Sequence, residues 1–88
     1  MPNSNQNALR MHALKLIQDG SNEEAESILL GIIKTTTPIC EDYVRLGTIY
    51  GIRLDWERLE DCSRMALQIN PESLDAQNNL AIALKNKQ

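Results

Sequence analysis

Residues 43–50 read YVRLGTIY. Tyr43, Leu46 and Tyr50 are spaced to share one face of a helix. Gly47 interrupts them, although glycine in a helix costs roughly 1 kcal/mol relative to alanine because it gives up the most backbone freedom. Such a loss is tolerated where any side chain would do worse. Gly47 therefore marks a position that demands smallness.

The segments on either side are helical too. Ala8, Leu9, Ala13, Leu16 and Ile17 recur at helical spacing until Asp19-Gly20, where Gly20 suits a left-handed helix end. Ser21 and Glu24 are spaced as a capping box for a second helix, which carries Ala25, Ile28, Leu29, Ile32 and Ile33 on one face. Thr35-Thr36-Thr37-Pro38 ends that helix, and Pro38, capped by Thr37, suits the first turn of the third. Asp55 is placed to cap a fourth helix, with Trp56, Leu59, Met65, Ala66, Leu67 and Ile69 available for burial. After Asn70-Pro71, Ser73 can cap a fifth, running from Leu74 through Leu84. No stretch alternates with period two. The pattern predicts an all-α protein of five helices, with neighbours antiparallel because the loops are short.

The chain is also self-similar at a shift of 34 residues. Leu9, Tyr43 and Gln77 share a column, followed by His12/Leu46/Leu80, Ala13/Gly47/Ala81 and Leu16/Tyr50/Leu84. Helices two and four align likewise: Ala25 with Leu59, Leu29 with Ser63, Ile32 with Ala66, and Ile33 with Leu67. Pro38 and Pro71 miss the register by one residue. A period in this range marks a stacked array of helical hairpins.

These residues resemble the tetratricopeptide repeat (TPR) family, whose pattern is W-x2-L-G-x2-Y, then A-x3-F, then P. The second unit reads Tyr43-x2-Leu46-Gly47-x2-Tyr50, then Leu59-x3-Ser63, Ala66 and Pro71. The first reads Leu9-x2-His12-Ala13-x2-Leu16, then Ala25-x3-Leu29. The third has only its first helix, Gln77-x2-Leu80-Ala81-x2-Leu84. The resemblance implies a TPR-type α-solenoid of about two and a half repeats over residues 6–88, after a disordered tail at 1–5. Repeat one would cover about 6–39, repeat two about 40–73, and the first helix of repeat three about 74–88. Ala13, Gly47, Ala81, Ala25, Ala66 and Pro71 would be its structural positions. Four residues depart from the pattern: Leu59 replaces a small residue, Ser63 a large apolar one, Leu54 stands where the first unit has Gly20, and His12 stands in a column otherwise filled by leucine. The second hairpin must be spread or locally repacked at Leu59.

Composition narrows the function. The net charge of −3, with signs interspersed, argues against a nucleic-acid surface, including the helix-turn-helix type that hairpins can mimic. No apolar run approaches the roughly 20 residues that span a bilayer, and the N-terminus has no secretory pattern. Cys40 and Cys62 form no CxxC pair and read as reduced thiols, which suggests a cytoplasmic setting. His12 is the only histidine and lies in a column the repeat would bury. No nucleophile–base pair, phosphate loop or metal-ligand spacing is present, so no catalytic residue, metal or cofactor is expected. The acidic residues Glu23, Glu24 and Glu26 complement the start of the second helix.

What remains is protein binding. The first helices of stacked hairpins line a concave surface, and the resemblance implies that a partner peptide lies there. By register its lining would include Arg10, Leu14, Val44, Arg45, Thr48, Asn78, Asn79 and Ile82, with Ile17, Gly51 and Lys85 in a further column. The amides suit a peptide backbone and the arginines a carboxylate. Asp75 disfavours an acidic chaperone tail, which some TPR domains bind. The rival expectation is a spacer or oligomerisation segment of a larger multi-repeat protein, such as a bacterial glycosyl- or sulfotransferase. Leu80, Ala81, Ile82 and Leu84 leave helix five apolar around much of its girth, which predicts self-association there or continuation into a longer chain.

Overall fold

The computed structural model describes the backbone of residues 2–88 and the side chains of residues 5–88. Five helices form: α1 (Pro2–Gln18), α2 (Asn22–Thr35), α3 (Cys40–Ile52), α4 (Trp56–Ile69) and α5 (Leu74–Asn86). No strand occurs among the described residues, and the protein is all-α. The tail expected over 1–5 is helix from Pro2 onward, Met1 lying outside the described residues. A proline is accommodated there because the first helical N–H has no intrahelical acceptor to lose.

The helix boundaries repeat the sequence period. Asn22 and Trp56 open α2 and α4, Cys40 and Leu74 open α3 and α5, and Gln18, Ile52 and Asn86 close α1, α3 and α5, each 34 residues from the next. Two compact units result, Met1–Pro38 and Ile39–Gln88.

The first unit is the α1–α2 hairpin. Gly20, at φ +87°, makes its turn. The Gly20 N–H donates to the Ile17 carbonyl at 3.1 Å and the Ser21 N–H to that of Leu16 at 2.8 Å, the paired bonds of a Schellman motif. This explains why the capping box expected at Ser21 and Glu24 does not form. A box needs the Ser21 N–H for Glu24, and the turn has already engaged it; the Ser21 side chain makes no capping bond either. Ala13, Ala25, Leu29 and Ile32 are buried. His12, expected in a buried column, is exposed.

In the second unit α4 packs on both α3 and α5, and α3 touches α5. The α3–α4 turn copies the first one: Leu54 N–H donates to Gly51 at 3.0 Å and Asp55 N–H to Tyr50 at 2.9 Å. Here the left-handed residue is Leu54, at φ +61°, in a conformation that costs a residue with a Cβ roughly 1–2 kcal/mol. Asp55 caps α4 as expected, accepting from the Arg58 N–H at 3.2 Å. The Arg58 guanidinium also bonds the carboxyl at 2.8 Å and lies 5.8 Å from the Tyr50 ring centroid. Bonds from the side chain and then the backbone of Arg58 hold the Asp55 carboxyl below the usual carboxylate range. Ser73 caps α5 through the Ala76 N–H at 3.1 Å.

The start of α3 departs from expectation. Thr37 does not cap it, and the helix begins at Cys40 rather than Pro38. The buried Asp42 carboxylate reaches back to the Ile39 N–H at 2.9 Å, which sets the first turn two residues later.

Leu46, Ile49, Tyr50, Leu59, Ala66, Ala76 and Ala83 form most of the second core, and Cys40 and Cys62 are buried within it without forming a disulfide. Ser63, where the repeat pattern usually has a large apolar residue, is buried with its hydroxyl donating to the Leu59 carbonyl at 2.7 Å. A buried serine bonded this way leaves no orphaned hydroxyl. At the far edge Lys87 bonds Glu60, so the end of α5 meets the beginning of α4 and the two run antiparallel. Met65 and Ile69, expected as burial candidates, are exposed, and so is Ala81. Ala81 lies on a side of α5 that neither α3 nor α4 covers, because the buried residues Ala76 and Ala83 turn the opposite side inward.

Candidate binding cleft

The second unit contains a cleft of about 310 Å³ lined by Gly47, Thr48, Gly51, Ile52, Trp56, Leu59, Asn79 and Ile82. Its floor follows from the two glycines. Gly47 and Gly51 are four residues apart and so lie one above the other on α3. A Cβ at Gly47 would sit 3.1 Å from Leu59 Cδ1, 3.3 Å from Asn79 Nδ2 and 3.8 Å from Cys62 Cβ. One at Gly51 would sit 3.7 Å from Leu59 Cδ2. Each methyl of Leu59 therefore rests on a glycine. The large residue on α4, 2% exposed, is accommodated by two absent side chains on α3. At the equivalent positions the first hairpin has Ala13 and Ala25, so bulk removed from one helix is returned on the other.

Around this floor Ile52, Trp56 and Ile82 supply apolar walls, and Thr48 and Asn79 supply polar groups. The Thr48 hydroxyl is turned to its own helix, donating to the Val44 carbonyl at 3.1 Å. No charged side chain lines the cleft.

Of the residues expected in a groove, Thr48, Asn79 and Ile82 come together here. Val44 does not join them: it packs with Tyr43 and Leu67 against the Cys40–Ala66–Ala76 cluster. Arg45 is half-buried and Asn78 exposed, and neither lines the cleft. Arg10 and Leu14 belong to the first unit, where both are half-buried. Ile52, Trp56 and Leu59 were not anticipated as lining residues. The spacing of Gly47 and Gly51 was the available signal, since two glycines on one helical face mark a place where something other than their own side chains must lie.

The first unit has its own cleft of about 390 Å³, with Leu9, Ile28, Gly31 and Ile32 among its lining. No group of three or more His, Cys, Asp or Glu side chains among the described residues could hold a metal ion. No described helix is long and apolar enough to cross a membrane. Comparison with known proteins returns no matching family model, curated protein or solved structure.

Proposed function

We propose that this chain is a TPR-type helical-repeat module of the cytoplasm, without catalysis or cofactor, that binds a peptide or protein partner. The observation that carries this reading is the cleft of the second unit, which is apolar on its walls and presents the Asn79 amide at its floor. The recurrence of helix boundaries every 34 residues supports the repeat assignment.

An apolar side chain of the partner enters beside Leu59 and Ile82, where burying a leucine-sized group is worth about 1.5–3 kcal/mol. Asn79 offers a donor and an acceptor to the partner's backbone. Arg45 and Asn78, on the same helices of the second unit, extend the contact. Selection of peptides from a random library on the immobilised protein tests this. Peptides retained by the wild type should be lost on Ile82→Arg, a change at a side chain already 46% exposed and so harmless to folding. Peptides bound equally well by Ile82→Arg would refute the cleft as their site.

A second reading, an oligomerisation or spacer segment of a larger protein, is favoured by α5. Leu74 is 72% exposed, and Leu84 and Ala81 are also exposed. It expects concentration-dependent self-association in sedimentation, abolished by Leu84→Glu, with no peptide retained in the selection.

A further inference from the structure

We draw no further inference here: the strongest candidate, the cleft of the α1–α2 hairpin beside Gly31, has open space and uncharged walls, but nothing in the structure shows what occupies it.

Discussion

Gly47 and Leu59 should be strongly coupled, and the coupling can be measured. In isolation, Gly47→Ala gains about 1 kcal/mol of helix propensity. In the folded protein the new methyl would stand 3.1 Å from Leu59 Cδ1 and 3.3 Å from Asn79 Nδ2, closer than ordinary contact. Leu59 has little freedom to withdraw: it is 2% exposed and its other methyl already lies over Gly51. Overpacking of this kind costs about 1–3 kcal/mol, so Gly47→Ala should destabilise the wild type by about 1 kcal/mol net. Leu59→Ala alone should cost about 2–5 kcal/mol through the cavity it leaves. In that background the crowding is relieved, because Asn79 ends in a flexible amide, and Gly47→Ala should now stabilise by about 1 kcal/mol. The cycle thus predicts an interaction energy of about 2 kcal/mol, within the range for residues in contact. Trp56 is the only tryptophan and belongs to the second unit, so its fluorescence in urea reports that unit alone. If Gly47→Ala raises stability equally in both backgrounds, the glycine is not there to make room for Leu59, and the account of the cleft floor fails.

The other glycines give contrasting expectations. Gly31 is helical with nothing within 4 Å of an added Cβ, so Gly31→Ala should raise the first unit's stability by about 1 kcal/mol in thermal unfolding followed by circular dichroism. Gly20 is equally uncrowded but sits at φ +87°, so Gly20→Ala should cost about 1–2 kcal/mol from backbone conformation alone. Ser73→Ala should lose about 1 kcal/mol with its cap, whereas Ser21→Ala should change denaturation midpoints little, since Ser21 makes no capping bond. Hydrogen bonds from Lys87, then Arg64, depress the Glu60 carboxyl below its ordinary value of 4.5. Its contribution is therefore present above the unfolded carboxylate pKa and lost as pH falls through the lower folded value. In acid titrations of stability, Glu60→Gln should remove part of the decline below about pH 4.5; an unchanged profile would show that the contact is not maintained in solution.

Much of the secondary structure was legible because its causes are local. The positions of Gly20, Asp55, Asn70-Pro71 and Ser73 state where helices end and begin, and the structure ends and begins them there. Two capping bonds expected at helix starts do not form, for different reasons, although α2 does begin directly after Ser21. Ser21 and Thr37 have the right chemistry for caps, but a competing bond is made at each start. The Schellman turn engages the Ser21 N–H, and Asp42 reaches back to Ile39 instead. The cleft was only partly legible. Register grouped Thr48, Asn79 and Ile82, which line one cleft, with Val44, which does not, because a column identifies equivalent positions on successive helices and not what lies against each.

By itself the sequence determined that the chain is helical, how many helices it has, and the 34-residue rhythm of their boundaries. Periodicity, caps and turn residues act within a few positions along the chain, so they can be read from it. Only the tertiary structure decided that Leu59 lies over Gly47 and Gly51, that Ser63 is satisfied by its own helix, and that Ala81 is left exposed while Ala83 is buried. Those outcomes depend on which faces of separate helices meet, and steric fit between residues far apart in sequence is settled only when the helices pack.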